Sequence, residues 1–371
     1  MPNLEELKKH AKELANNHTV SEDGKLSRSH FPNIEEDNRV LIKAYKTINE
    51  QVKSKQRVVP AAEWLLDNFY MIEEQIKEIQ RGLMEGYKKL PIIKSGSHRG
   101  LPRVYAIAEE IVSYTDSDLD EETIINFLRE YQSITPLSCV ELWAFPFMLK
   151  IALIKKVKKT AVYIVESQEQ KLEAQKWANK LLSCLENSKE DLHRLIAEHD
   201  KNIRILSTSY AEGLLQCFRN YGSEAAPMIA WLDGRLALQN TNADEIVQAE
   251  HQQQVSYQLS IGNAITSLRF ISSIKWEDVF EELSLVEQIL REDPEGSYSK
   301  MEFSSRDYYR HEVELLAKAA KVSEMYVAHK AIECAKEGLE RNDPRYSHVG
   351  YYLIGGGRKQ LESRLGIKKR G

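Results

Sequence analysis

Apolar side chains recur every three to four positions along most of the chain, which is the spacing of one face of an α-helix. The clearest run begins at Pro60, a residue favoured in the first turn of a helix, and continues to Gly82. Gly and Pro are sparse, and no fixed repeat of about 34 residues is present. The pattern therefore predicts an all-α fold, an irregular multi-helix bundle without substantial β-sheet.

The same periodicity gives approximate positions for the other helices. An amphipathic helix opens the chain near residues 4–15 and a second covers residues 40–52. A Gly-, Pro- and Ser-rich stretch, residues 86–102, is typical of a loop. Later helices are predicted over residues 104–115, 120–131, 136–154 with a kink at Pro146, 161–187, 189–199, 210–221, 231–236, 243–274, 276–290 and 306–339.

Longer and more charged helices follow Val157, and this change in composition suggests a boundary between two helical subdomains. We expect an N-terminal helical subdomain over residues 1–159 and a second one, with long helices, over residues 160–371. With 42% hydrophobic residues, the chain can bury a core without metals or disulfides.

Charge and cysteine usage narrow the choice of partner and compartment. Lys and Arg total 51 against 56 Asp and Glu, so no positive field favours nucleic acid or an anionic bilayer. The four cysteines are far apart in sequence, as is usual for reduced thiols in a cytosolic protein. The most apolar window, residues 142–154, is too short to span a membrane and contains Lys150. We expect a cytoplasmic protein with no nucleic-acid partner.

One acidic motif resembles the metal-binding DxD of glycosyltransferases, in which oxygen ligands hold a divalent cation against a diphosphate. It consists of Asp116 and Asp118, after an apolar stretch. The apolar residues before it recur at intervals of three and four rather than two, which favours the end of a helix over the end of a strand. We therefore interpret the motif as a solvated turn.

Two further motifs lack essential residues. The HEVEL string beginning at His311 carries Leu315 where a zinc protease has its second histidine. The three glycines from Gly355 lack the spacing and the following Lys-Ser/Thr of a phosphate-binding loop, and a helix-terminating turn is the better interpretation. The sequence thus offers no catalytic, metal-binding or cofactor-binding residue.

Four charged residues are candidates for a buried polar network. Glu63 and Asp67 share one face of a helix that also carries large apolar side chains, Arg103 begins a later helix, and Glu141 stands beside a tryptophan. Paired carboxylates can act as acid and base, but no histidine, nucleophile or glycine-rich loop accompanies them. We favour a structural network in which Arg103 pairs with at least one of the three carboxylates.

Six stretches resemble the N-terminal region of cyclic β-1,2-glucan synthases, a bacterial glycosyltransferase family, in collinear order over nearly the whole chain. They are PAAEWLLDNFYMIEEQI from Pro60, GLPRVYAIAEEIVSYTD from Gly100, FLREYQSITPLSCVELWAFPFMLKIALI from Phe127, SIGNAITSLRFISSIKWEDVFEELSLVEQILREDPEGSY from Ser260, MEFSSRDYYRHEVELLAK from Met301 and YSHVGYYLIGGGRKQLE from Tyr346.

The resemblance implies membership in a large inner-membrane enzyme of carbohydrate metabolism. In that family a helical region precedes membrane spans, a processive glucosyltransferase domain that uses UDP-glucose with Mg²⁺ or Mn²⁺, and cyclising and phosphorylase-like domains. The family's transferase signatures lie outside these 371 residues, so no family catalytic residue is carried over. We expect a cytosolic N-terminal part, an excised fragment or a truncated gene product, that is regulatory or scaffolding and not catalytic alone.

The same resemblance implies partners and location. The partners would be the transmembrane and glucosyltransferase domains of the synthase, and the membrane would be reached only through missing downstream segments, at the cytoplasmic face of the inner membrane. Two alternatives stay open. One is a free-standing helical protein-interaction module, and the other is a self-contained enzyme with a cleft that unites Glu63, Asp67 or Asp116 with convergent polar groups.

Overall fold

Helices dominate the computed structural model, which describes residues 3–21, 33–54, 58–82, 90–187, 189–341 and 343–367. They make up 80% of the described residues, which confirms the all-α prediction. The helices are α1 (Leu4–Asn17), α2 (Ile34–Lys53), α3 (Pro60–Gly82), α4 (Arg103–Tyr114), α5 (Glu121–Gln132), α6 (Cys139–Asn187), α7 (Lys189–Asn202), α8 (Thr208–Tyr221), α9 (Ala226–Ala237), α10 (Ala243–Ser273), α11 (Trp276–Leu283), α12 (Leu285–Leu290), α13 (Phe303–Ala320), α14 (Glu324–Gly338), α15 (Pro344–Ser347), α16 (Val349–Leu353) and α17 (Arg358–Arg364).

Two short strands form the β-structure of the described residues. Strands β1 (Val20–Ser21) and β2 (Ile92–Ile93) pair antiparallel, with Val20 opposite Ile93. Strand β2 lies in the stretch predicted as a loop over residues 86–102, of which residues 86–89 are outside the described part of the chain. The pairing joins the end of α1 to the segment that leads into α4.

Side-chain caps explain where several helices begin. Asn33, Asp120 and Asn242 each accept a hydrogen bond from a backbone N–H in the first turn of α2, α5 and α10. Such caps satisfy donors that have no partner inside the helix. The start of α5 at Glu121 agrees with the helix predicted over residues 120–131.

Helix α6 is continuous over 49 residues and includes Pro146. The predicted break between residues 154 and 161, and with it the predicted boundary at 159/160, lies inside this helix. The lysine-rich stretch is not a linker between subdomains. Lys155, Lys156 and Lys158 form ion pairs with acidic residues of neighbouring segments. Buried apolar residues continue along the opposite face, so the helix has packing partners throughout.

Two apolar clusters make up the core of the described residues. The first, which we call the outer core because its residues flank the other cluster in sequence, is built from residues 7–164 together with residues 261–365. The inner core is built from residues 174–246 and contains α7, α8, α9 and the last part of α6. Helices α6 and α10 contribute to both cores and connect them.

Two predicted helices in the C-terminal third are each divided in two. The stretch 276–290 breaks at Ser284, whose side chain accepts a hydrogen bond from the Glu287 N–H and caps α12. The stretch 306–339 begins earlier, at Phe303, and breaks at Lys321, which has a left-handed backbone with φ of 56°. Within the described ranges, no helix has the length and apolar character needed to cross a bilayer.

Candidate functional site

A cavity of about 700 Å³ lies between α6, α8, α10 and the start of α3. Its floor holds Lys171 from α6, Glu212 from α8 and Glu250 from α10. The two carboxylate side chains are 8% and 3% exposed, whereas the lysine is 25% exposed. Three helices thus bring three charged groups to one partly buried point.

The lysine ammonium lies between the two carboxylates. Lys171 Nζ is 2.8 Å from Glu250 Oε1 and 3.1 Å from Glu212 Oε2. Glu250 also accepts hydrogen bonds from the hydroxyls of Ser167 and Ser209, at 3.3 and 3.0 Å, and from the Gln254 amide at 3.1 Å. A buried carboxylate with this many donors is stabilised in its charged form.

The charges in the cavity shift one another's pKa. Burial acts to raise the pKa of Glu250, but the hydrogen bonds from Lys171 and Gln254 and the lysine charge lower it overall. Burial acts to lower the pKa of Lys171, and its two carboxylate partners raise it overall. The ion pair therefore holds both Lys171 and Glu250 in their charged forms.

Close packing of α6 against α8 positions this group. A Cβ at Gly213 would lie 3.1 Å from the Ala174 Cβ and 3.2 Å from the Lys171 Cα, so glycine allows the two helices to approach. The rings of Tyr163 and Tyr257 lie 4.2 Å apart between centroids. Both tyrosines line the cavity, together with several amide side chains.

The sequence reasoning missed this site because its residues lie far apart along the chain. One signal was present. Glu212 lies on the part of α8 that also carries Ala211 and Leu214, and nearly all residues of this part are buried. A charge on the apolar face of a helix requires a partner. The sequence does not show which helix supplies that partner.

The structure pairs two of the four residues predicted to form a polar network. Arg103 Nε and Nη2 donate to the two carboxylate oxygens of Glu141 at 2.8 and 2.6 Å, and Nη2 also donates to the Pro136 carbonyl at 3.0 Å. The Ser138 N–H and hydroxyl each donate to Glu141 Oε2 at 3.0 Å. The Arg103 and Glu141 side chains are 5% and 0% exposed.

Glu63 and Asp67 lie outside this network, contrary to their inclusion in the prediction. Both are exposed on α3, on the face opposite the buried Leu65 and Phe69. The side chain of Trp64 is itself 40% exposed, so the apolar surroundings expected for the two acids are missing. The hydrophobic stripe of α3 is narrower than the sequence suggested.

Asp116 and Asp118 lie in a turn that follows α4, as their helical periodicity predicted. Asp116 is exposed and its carboxylate is 3.4 Å from Lys156 Nζ. Ser117 has a φ of 67°, and its carbonyl accepts a hydrogen bond from the Ser267 hydroxyl at 2.6 Å. The turn is thus fastened to α10 rather than placed at the end of a strand.

The other two motifs occupy ordinary positions in the fold. His311 is half-exposed on α13, with Nδ1 3.4 Å from Glu314. The three glycines from Gly355 join α16 to α17. A Cβ at Gly357 would lie 2.6 Å from the Tyr351 ring, so close packing rather than a positive φ requires glycine there.

A second buried polar cluster surrounds Glu287 of α12, which is fully buried. It accepts hydrogen bonds from Tyr298 at 2.7 Å and Arg310 at 2.6 Å, and Arg291 lies at 2.8 Å. Burial acts to raise the pKa of Glu287, but these donors lower it overall. This network joins α12 to α13 and is structural.

Among the described residues, one group has ligand atoms close enough together to hold a metal ion, and it consists of Asp293, Glu295 and His348. In the structure His348 Nδ1 lies 2.8 Å from Asp293 Oδ2, and Asp293 Oδ1 accepts a hydrogen bond from the Val349 N–H at 2.8 Å. Asp293 thereby fastens the turn after α12 to the start of α16.

No protein-family model matches the chain. A comparison with curated proteins finds 31% identity over 336 residues with the cyclic beta-(1,2)-glucan synthase NdvB of Rhizobium meliloti (strain 1021). The match covers 89% of this chain and 12% of that relative, so the chain spans only a small part of the relative's length. This similarity confirms the resemblance carried by the six stretches.

Proposed function

Because the chain is related to an NdvB-like β-glucan synthase over almost its whole length, we propose that it is a regulatory or scaffolding part of such a synthase and is not catalytic alone. The observation that carries this proposal is the share of each protein in the match. Nearly the whole helical chain corresponds to 12% of the relative. The remaining portion of the relative is large enough to hold the transferase.

Charge pairing within the chain supports a non-catalytic assignment. The buried carboxylates of Glu141, Glu250 and Glu287 each pair with a lysine or arginine. A general acid or base needs a proton that it can exchange with a substrate near neutral pH. Hydrogen-bond donors lower the pKa of Glu250 and of Glu287, so these two carboxylates serve better to fix helices relative to one another than to exchange a proton.

The proposal includes partners, cofactors and location. The partners are the glucosyltransferase and transmembrane domains of the synthase, and those domains bind UDP-glucose and the divalent cation. The chain then lies at the cytoplasmic face of the inner membrane. It acts there by holding or adjusting the transferase.

Two assays test the proposal. In the first, the intact chain is incubated with labelled UDP-glucose and Mg²⁺ or Mn²⁺, and we expect no labelled glucan. In the second, the matched segment of the R. meliloti synthase is replaced by this chain and glucan synthesis is measured in membranes. We expect the chimaera to synthesise glucan and a synthase that lacks the segment to lose most of its activity.

The outcomes separate the proposal from its alternatives. Glucan made by the isolated chain would show a self-contained enzyme, and Asp116→Ala/Asp118→Ala together with Glu212→Gln would then locate its active site. Full activity of the synthase without the segment would show that the segment has no regulatory or scaffolding function. That second result would favour a free-standing interaction module.

A further inference from the structure

The cavity between α6, α8 and α10 has features that point to a ligand and are not needed for packing. Its volume of about 700 Å³ lies within the range of about 300–1,000 Å³ that is usual for small-molecule sites. Lining residues such as Gln216, Asn220 and His251 are exposed, so the cavity is open to solvent and a ligand can enter it. A space of this size beside a buried charged group is therefore a candidate binding site.

Unused hydrogen-bonding capacity lies in its wall. The side-chain oxygen of Gln168 is buried, and among the described residues it accepts no hydrogen bond. A buried acceptor without a partner destabilises the structure that contains it. A ligand hydroxyl that donates to this oxygen would supply the missing partner.

The charge pairing of the site selects against ionic ligands. Lys171 already pairs with the carboxylates of Glu212 and Glu250, so its ammonium is not free to bind a phosphate or diphosphate. A cation is not favoured either, because Glu250 already accepts hydrogen bonds from Lys171, Gln254 and two serines. A neutral ligand avoids both difficulties.

The walls combine apolar faces with amide groups. Val59, Pro60 and Ile164 are among the lining residues, as are Gln216 and Asn220, whose side chains carry amides. A sugar ring has apolar C–H faces and a polar rim of hydroxyls, each of which donates and accepts hydrogen bonds. Amides offer both a donor and an acceptor, so they match hydroxyls better than ions do.

We propose that this cavity binds a short stretch of neutral glucan, with Tyr257 against a sugar face and Gln168 accepting a hydrogen bond from a sugar hydroxyl. This inference deepens the proposed function and rests on it, since a synthase supplies the glucan. The cavity would then sense or hold the product chain while the transferase, elsewhere in the synthase, extends it.

Calorimetric titration of the intact chain with linear β-1,2-glucooligosaccharides tests the proposal. We expect saturable binding that weakens at least tenfold in Gln168→Leu and in Tyr257→Ala. Gln168→Leu removes an acceptor that has no hydrogen-bond partner, so it leaves the fold stable, and thermal unfolding checks this. The matched control is Tyr308→Ala, a half-exposed tyrosine of α13, which should bind like the parent.

Three results would overturn the proposal. They are no oligosaccharide binding, binding unchanged in both cavity variants, and tighter binding of UDP-glucose or spermidine than of the oligosaccharide. Equal binding of β-1,4-linked glucan would support a neutral glucan site without linkage selectivity. The chimaera assay is independent of these titrations, so a failed cavity site and a failed scaffolding function would be distinguished.

Discussion

Replacing Arg103 with alanine tests whether the buried ion pair at the start of α4 holds the outer core together. The change removes a guanidinium that donates to both oxygens of Glu141 and to the Pro136 carbonyl. Glu141, which is 0% exposed, would keep only the donors of Ser138. Stranding one partner of a buried pair typically costs about 3–5 kcal/mol. We expect the free energy of unfolding to fall by about 3 kcal/mol or more.

Denaturant unfolding with matched variants measures this loss. Arg129→Ala removes one partner of the exposed Arg129–Glu282 pair, whose side chains are 54% and 47% exposed, and should cost less than about 1 kcal/mol. The double change Arg103→Met/Glu141→Gln removes both charges and should recover part of the loss. A midpoint for Arg103→Ala equal to that of Arg129→Ala, at an unchanged m-value, would refute the reasoning.

Three further predictions concern pH and backbone. Burial is the main cause that lowers the pKa of His18 to about 4, so the unfolded chain binds more protons between about pH 6.5 and 4, and stability should fall as the pH drops through that window. In His18→Asn the unfolding midpoint should vary less with pH there, and an unchanged dependence would contradict the assignment. Lys321→Gly should raise the free energy of unfolding by up to about 1 kcal/mol, because the backbone of Lys321 is left-handed. The control Lys336→Gly, inside α14, should lower it by about 1 kcal/mol. Thermal unfolding midpoints that shift in the same direction in both variants would contradict this prediction. A Cβ at Gly338 would overlap the backbone carbonyl oxygen of Tyr346 in α15, so Gly338→Ala should cost about 2 kcal/mol or more. Gly262→Ala has open space around it and should be neutral or stabilising. Similar unfolding midpoints for the two variants would show that the helices can separate freely.

Helical periodicity was sufficient to predict the fold class and most helix positions, because each amphipathic face is encoded by residues three or four apart. Periodicity also identified the turn at Asp116 as the end of a helix. It failed at α6, where the lysines after Ile154 looked like a boundary. Their acidic partners, such as Asp37 and Glu109, lie on other helices, and local patterns do not show such pairs.

The candidate site was harder to predict for the same reason. Lys171, Glu212 and Glu250 are separated by about 40 residues each, and only the packing of three helices unites them. The prediction that Glu63 and Asp67 belong to a buried network was wrong. Their sequence neighbours are large and apolar, but the two carboxylates face solvent. Proximity in sequence predicts which residues share a helix and a face of that helix. It does not predict which neighbouring helix that face contacts.

The interruption of the outer core by the inner one affects the order in which the chain can fold on the ribosome. Residues 174–246 carry a complete core of their own, whereas the outer core needs residues up to 365. At about 5–20 residues per second, the final partners emerge roughly 6 to 24 s after the inner core is complete. During that interval part of the apolar surface of α3, α5 and α6 has no permanent cover. We therefore expect newly made chains to bind holdase chaperones through these helices until residue 365 has emerged.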